Sequence, residues 1–346
     1  MSELPVITEY RSLEERILSA MTPTLPEAEF STLALEIFAF QCRWNSTYQA
    51  FTRASSAPDA WQEIPAVPQS AFKHSHLSCV PTDAVRTVFR TSGTTGESRG
   101  EHHFLDTRLY DAAIIRGWSW LGVKSLPLRI IARSGADAPD SSLSHMFSEI
   151  GRTLPAVDAT WFVSQEGAIE VDAFVRSIDP GEPIGLLGTA LGFLNLFEQL
   201  GHQRITLPRG SFVLETGGYK GSGRELTKRD LYSMFEDYLG VPAEEIINEY
   251  GMTELSSQFY TRGLGRPHTS PPWLKARVVD PETGREVAVG GLGILRIFDL
   301  ANLNSALAIE TQDLAIRHEA GFELIGRDPA ALPRGCSRAA DELLRR

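Results

Sequence analysis

At 346 residues the chain is too long for one minimal core, and at about 150 residues per domain it should hold two lobes or one large one. Apolar residues at 42% and charged residues at 22% exclude long disorder, and a net charge of -11 argues against broad binding to nucleic acid or to an anionic membrane surface. Three cysteines, Cys42, Cys79 and Cys336, are too few and too scattered for a disulfide framework. The first twenty residues are acidic where a signal peptide needs a basic start, and no window nears the roughly 18 to 20 apolar residues that span a bilayer. A cytoplasmic protein with no membrane and no nucleic-acid partner is expected.

Helical apolar spacing covers 12–21 and 26–42, predicting an N-terminal helical region over 1–80. From Val85 onward short apolar runs alternate with amphipathic stretches: VRTVFR, a helix over 106–121, LRIIAR, a helix near 141–151, ATWFV, a helix near 168–178, IGLLG, a helix near 190–200, and SFVLE. That alternation predicts an α/β core over 81–265 with a largely parallel sheet. A further amphipathic helix over 225–239 precedes the short run EEIINEYG. Beyond about residue 270, KARVVD, DPETGRE, ILRIF, LAIETQD and FELIGR are strands and turns with no room for helices, so 266–346 should form a small β-rich lobe. The Pro/Gly-rich RGLGRPHTSPPW, 262–273, is the natural boundary or mobile loop.

In FRTSGTTGESRGEHHF, 89–104, a strand ends near Arg90 and the loop 91–100 follows. Glycines there permit positive φ and close backbone approach, while the hydroxyls and N–H groups can cradle phosphate oxygens. The G-x-x-x-x-G-K-[ST] pattern is absent and no helix directly follows, which disfavours an ordinary NTPase or kinase. Seen alone, such a loop also fits a surface turn without a ligand.

Further motifs follow in order. RTSGTTGESRG resembles the signature loop of the adenylate-forming superfamily, which includes acyl-CoA synthetases and luciferases, with Arg99 where a lysine usually stands. ETGGYKG, 215–221, is similar to that superfamily's adenine-side glycine turn, and NEYGMTE, 248–254, to its aromatic-G-x-T-E motif. ETQDLA resembles the T-G-D that holds the ribose, and GFELIGRD the hinge arginine region. The longer string from ETGGYKG to SSQFY, with RGCS near the end, resembles the LuxE/PaaK-related acyl-protein synthetases, over roughly Trp44 to Cys336. The resemblance implies an α/β fold: a large adenylate-forming-type domain with mixed and parallel sheets flanked by helices, plus the small β-rich lobe at the C-terminal end. The family's usual C-terminal lid with its catalytic lysine has no counterpart in the nineteen residues after Arg327, so either another cation, Lys220 or Arg334, substitutes for that lysine, or the adenylation step is slower or depends on a partner.

The chemistry so implied brings a carboxylate against the α-phosphorus of ATP, so charge neutralisation and positioning are the main tasks. The resemblance assigns Thr91, Ser92, Gly93, Thr94, Thr95 and Gly96 to the outer phosphates, with Arg99 as a forked cation that cannot lose its proton. It assigns Gly217, Gly218 and Tyr250 to the adenine, Thr253 to the α-phosphate, Glu254 to Mg²⁺, Asp313 to the ribose hydroxyls and Arg327 to the hinge. Lys220 is a further phosphate or carboxylate contact, or a solvated lysine.

The acyl group then needs a nucleophile. Cys336 lies between Arg334 and Arg338, whose charges favour a thiolate. The resemblance implies that a cysteine near the C-terminus carries the acyl group to a reductase partner; coenzyme A or a carrier-protein thiol is the alternative acceptor, and a buried, inert cysteine the plainest reading. PDSSLSHMF, 139–147, resembles the family's stretch near the carboxylate pocket, making Ser141, Ser142, His145 and Met146, with His103, candidates to line a site for a fatty or aromatic acid. In KHSHLSC, His74 and His76 would share one face of a strand near Cys79, but no fourth ligand supports zinc. The rival from another class is a catalytically silent nucleotide- or partner-binding relative.

Overall fold

The computed structural model describes residues 4–92, 98–153, 158–217 and 226–327. In chain order the helices are α1 (Pro5–Ala20), α2 (Glu27–Trp44), α3 (Ser46–Thr52), α4 (Ala71–His74), α5 (Arg108–Leu121), α6 (Ser142–Thr153), α7 (Val171–Arg176), α8 (Ala190–Leu200) and α9 (Lys228–Leu239). The strands are β1 (Val67–Pro68), β2 (Thr87–Arg90), β3 (Glu101–Phe104), β4 (Leu128–Ile131), β5 (Ala159–Trp161), β6 (Gly185–Thr189), β7 (Phe212–Thr216), β8 (Ile246–Tyr250), β9 (Phe259–Arg262), β10 (Leu274–Val279), β11 (Leu292–Asp299), β12 (Ala308–Arg317) and β13 (Phe322–Arg327). The chain divides into two compact units, neither a single run: Met1–Trp120 with Met252–Gln258 and Pro267–Arg346, and Leu121–Gly251 with Phe259–Arg266.

The first unit holds a five-stranded sheet in which β10, β11, β12 and β13 are successive antiparallel neighbours and β1 joins β12 in parallel. The β-rich C-terminal part thus recruits two residues from the N-terminal region. α1 opens with Pro5, whose fixed φ suits a first helical turn, and buries Val6, Tyr10, Leu13 and Ile17 along one stripe. Aromatic rings join the helices to the sheet: Phe30 of α2 meets Trp61 edge-on at 5.4 Å, and Trp61 meets Phe298 of β11 at 4.9 Å.

VRTVFR does not enter a parallel sheet as its place in the alternation suggested. β2 pairs antiparallel with β3, Thr87 opposite Phe104 and Arg90 opposite Glu101, so the signature loop connects two antiparallel strands. The connection is too short for the crossover that parallel strands require. A second correction concerns KHSHLSC: His74 ends the helical turn α4 and His76 follows it, so the two do not share a strand face.

The second unit carries a six-stranded sheet in the order β5-β4-β6-β7-β8-β9, parallel except for β9, with α7, α8 and α9 supplying much of its core. Leu186, Val213 and Ile246 of the strands pack with Phe193 and Phe197 of α8 and Leu231, Phe235 and Leu239 of α9. α9 forms here because Thr227 and Asp230 make a reciprocal capping box at its start and Gly240 takes a left-handed φ of 66° at its end. The 262–273 stretch is tied down in part: His268 exchanges backbone hydrogen bonds with Phe322 and stacks on its ring at 5.3 Å.

Candidate active site

In an open parallel sheet, ligands bind beyond the carboxyl ends of the strands, where the loops carry free backbone groups. In the second unit this end is formed by Thr216, the last residue of β7, by Gly217 after it and by Tyr250 at the end of β8. Gly217 has φ +81°, a conformation that strains any side chain, which explains a glycine at that turn. Tyr250 is buried to 9% exposure, its ring 6.1 Å from that of Phe259.

Two buried carboxyls lie just beneath. Thr216 sits opposite Glu249 in the parallel ladder, and its hydroxyl donates to Glu249 Oε2. Glu215, opposite Asn248, accepts from the Tyr232 hydroxyl at 3.2 Å. Burial pushes the Glu215 carboxyl up to about 7, against the pull of Lys228. Burial and the nearby Glu215 likewise push Glu249 up to about 7 despite the Thr216 bond. Lys228 Nζ donates to Asn248 Oδ1 at 2.9 Å. The sequence motifs did not single out these carboxyls, although Glu215 and Glu249 stand inside them.

In the first unit, Met252–Gln258 is neither helix nor strand, yet it carries Thr253 and Glu254. What fixes it is a web of buried polar groups. Asp299, fully buried at the end of β11, accepts from Ser256 N at 2.9 Å, Ser257 Oγ at 2.8 Å and Ala301 N at 3.0 Å. Burial pushes its carboxyl up to about 6, while these donors pull it down. Asn302 Nδ2 donates to the Glu254 carbonyl at 2.8 Å, and its Oδ1 accepts from Ser256 Oγ at 2.6 Å. Gln41 of α2 in turn donates to the Asn302 carbonyl at 2.7 Å.

His102 completes the web. On β3, immediately past the signature loop, it places Nδ1 2.8 Å from the Thr253 carbonyl and Nε2 2.9 Å from Ser305 Oγ. The carbonyl can only accept, so Nδ1 carries the proton and the Ser305 hydroxyl donates to Nε2. Burial drives its pKa down to about 3, so the ring is neutral at physiological pH. The Glu254 side chain is buried to 2% exposure, and Gln69 Nε2 donates to its Oε1 at 3.2 Å. A hard carboxylate oxygen held in this way suits Mg²⁺, which is commonly bound by one or two carboxylates together with substrate phosphates.

The other expected residues are distributed as follows. Thr91 closes the stem of the signature loop: its Oγ1 accepts from Gly100 N at 2.8 Å and its N–H donates to the Gly100 carbonyl at 2.9 Å. Ser92 follows it at the edge of the described stem. Arg99 turns its guanidinium onto the same stem, Nε donating to the Thr91 carbonyl at 2.6 Å and Nη2 to that of Arg90 at 3.2 Å. Asp313, buried on β12, stands opposite Arg327 of β13, which sets the ribose and hinge candidates side by side in one ladder. Ser141 Oγ accepts from Ser144 N at 3.2 Å at the start of α6, where Met146 is buried and Ser142 and His145 are half-buried. His103 is buried, Nε2 3.4 Å from Glu101. Gly93, Thr94, Thr95, Gly96, Gly218, Lys220, Arg334 and Cys336 lie outside the described residues.

The fold is shared with adenylate-forming ligases. An open conformation of 2-hydroxyisobutyryl-CoA ligase, in complex with 2-HIB-AMP and CoA, superposes with a TM-score of 0.66 at 18% identity, covering 90% of this chain and 73% of that one. More specifically, the family model for the acyl-protein synthetase LuxE matches residues 26–344, and the chain belongs to that family. It is similar to the long-chain-fatty-acid–luciferin-component ligases of Aliivibrio fischeri, 23% identical over 83% of this chain and 79% of the relative, and of Vibrio harveyi, 22% identical over 91% and 88%. Among the described residues no helix is long and apolar enough to cross a membrane.

Proposed function

We propose that the protein activates a carboxylic acid with ATP and Mg²⁺ and passes the acyl group to a thiol. In the first step a carboxylate oxygen bonds to the α-phosphorus, the bond from that phosphorus to the bridging oxygen of the β-phosphate breaks, and pyrophosphate leaves. In the second a thiolate attacks the acyl carbon and AMP departs, giving a thioester.

The observation that carries this reading is the placement of Glu254. A nearly fully buried carboxylate is costly, and a family of ligases gives that cost a use. Glu254 would hold Mg²⁺, whose role is to neutralise the phosphate oxygens. Thr253 would donate its hydroxyl to the α-phosphate, while His102 and Asn302 hold the carbonyls of Thr253 and Glu254. The stem residues Thr91, Ser92 and Arg99 would present the loop to the outer phosphates, Tyr250 and Gly217 would take the adenine, and Asp313 the ribose. The names of the two ligases above favour a long aliphatic acid. Cys336 is the proposed acceptor on the way to a reductase, with coenzyme A or a carrier thiol as the competing acceptor; the CoA in the 2-hydroxyisobutyryl-CoA ligase complex favours keeping that second route in the test.

ATP–pyrophosphate exchange with Mg²⁺ over a panel of aliphatic and aromatic acids tests the first step. Exchange only with long aliphatic acids is the expected result. Protein that binds ATP but exchanges with no acid would be a silent relative, and the reading would fall. Glu254→Ala should lower exchange by at least about a hundredfold in a folded protein. Cys336→Ser should keep exchange but lose covalent acyl-protein; labelling that survives would move the acceptor elsewhere.

A further inference from the structure

Among the described residues four large apolar side chains stand at least half exposed: Leu4 at 50%, Val289 at 54%, Leu292 at 55% and Ile325 at 51%. The last three come together at one end of the five-stranded sheet. Leu292, at the start of β11, lies opposite Ile316 of β12, and Gly290, next to Val289, donates its backbone N–H to the Arg317 carbonyl. Ile325 is the extra residue of β13 between Leu324, opposite Ala315, and Gly326, opposite Leu314. At the other end of β11, Phe298 is covered by Trp61. Single apolar side chains on a surface need no account, but a group of them in one place marks a contact.

The same strand leaves an edge open. One side of β13 pairs with β12, and on the other side Phe322 exchanges two backbone hydrogen bonds with His268. Past that bridge, residues 323–327 have no strand partner on that side among the described residues. An open edge is a template for another strand, and a proline or a charge at its centre is a common guard against that. Here the centre is the exposed Ile325. The stretch is also complementary to itself: laid antiparallel on a copy about Ile325, it sets Glu323 against Arg327 and Leu324 against Gly326. The register irregularity of β13 falls at Ile325, so it lies on the axis and displaces both copies alike.

We propose that the apolar end of this sheet and the open edge of β13 are where a second copy of the chain docks, across a two-fold axis at Ile325 that sets Glu323 of each copy against Arg327 of the other. A two-fold contact uses one patch twice, so each favourable pair in it counts twice. Two chains of net charge -11 repel, so a contact between copies belongs where charge is locally balanced. The rim of this patch is balanced: Arg317 pairs with Glu286 at 3.4 Å, and His318 Nε2 lies 3.4 Å from Glu323, whose side chain is 44% exposed and so open to a second cation. A nucleic acid or an anionic bilayer would instead call for an excess of cations. Adenylation plays no part in this contact, and its test needs no substrate.

Sedimentation equilibrium over a range of protein concentrations reads the association directly. The parent should form a dimer, and Ile325→Glu, which brings two like charges together at the axis, should weaken it by about a hundredfold or more. Leu4→Glu, at an exposed apolar residue outside this sheet, should change nothing. Glu323→Arg and Arg327→Glu each set like charges opposite one another, so each alone should be monomeric where the parent is dimeric. Mixed in equal amounts they should recover a heterodimer, because every charge then faces its opposite; recovery also shows that both variants are folded. A parent still monomeric at about 100 μM, an Ile325→Glu variant as dimeric as the parent, or a mixture that stays monomeric overturns the proposal. In a monomeric parent, slow amide exchange at 323–327 would give the edge to another segment of the same chain.

Discussion

The motif NEYGMTE is cut in two by the boundary between the units, and its halves are held in opposite ways. Asn248, Glu249 and Tyr250 lie on β8, between β7 and β9, so backbone ladders on both sides fix them. Thr253 and Glu254 lie on a segment with no ladder, fixed by side chains that arrive from residues 102, 299 and 302. A ladder distributes its hold over many bonds, each worth about 1 kcal/mol net; a web concentrates it in a few groups whose loss leaves buried partners unsatisfied. Substitutions should therefore be far more damaging in the web.

The largest effect is expected at Asp299. Asp299→Ala strands three buried donors, Ser256 N, Ser257 Oγ and Ala301 N, and should cost about 3 kcal/mol or more in denaturant unfolding, with exchange activity lost. Asp299→Asn keeps one acceptor oxygen and should fall between the two. A cost below about 1 kcal/mol for the alanine variant would mean that the segment is held by something other than this web.

The contrast between ladder and web is also what separated the legible from the illegible. SFVLE and the helix before EEIINEYG could be read from the sequence because their period and caps are local: the Thr227–Asp230 box spans four positions. The parallel sheet followed from the same alternation. Asp299, Asn302 and His102 could not be placed, because what they hold is more than forty residues away and no spacing rule connects them. A signal existed in ILRIFDLANLNSALAIE: Asp and Asn embedded in apolar runs must be buried, and buried polar groups must be paired. The direction of VRTVFR is illegible because a four-residue strand carries no mark of it; the loop that follows, too short for a crossover, is the feature that requires an antiparallel partner.

His102 should rank second. His102→Leu removes a partner from the Thr253 carbonyl and from Ser305, and is expected to cost about 2 kcal/mol while lowering kcat more than the affinity for ATP. Its pKa is depressed to about 3, so the parent protein should lose stability as pH falls from about 6.5 toward 3, and the variant should lose less over that window. Unfolding midpoints measured across pH 4–7 check the sign.

Glu249 has the opposite sign and a smaller effect. Its pKa is raised, so the native state holds a proton that the unfolded chain has released, and stability should decline as pH rises from about 4 through 7. Glu249→Gln keeps an acceptor for Thr216 and cannot ionise, so its stability should decline less between pH 5 and 8, by on the order of 1–2 kcal/mol. Equal slopes in the two proteins would place the titration elsewhere, with Glu215 the first group to replace.

The smallest effect is the sharpest test of the comparison. Asn248 precedes Glu249 in the same motif and its side chain accepts from Lys228, but the strand beneath is held by backbone bonds that a side-chain truncation leaves intact. Asn248→Ala should cost about 1 kcal/mol or less, against about 3 kcal/mol for Asp299→Ala, with exchange activity largely kept. The inequality follows from what each change leaves behind: truncating Asn248 removes one partner of the half-buried Lys228 and a long 3.4 Å contact to the Glu215 carbonyl, whereas truncating Asp299 leaves three donors where water is excluded. Equal costs at the two positions would show that burial, and not the kind of hold, governs both halves of the motif.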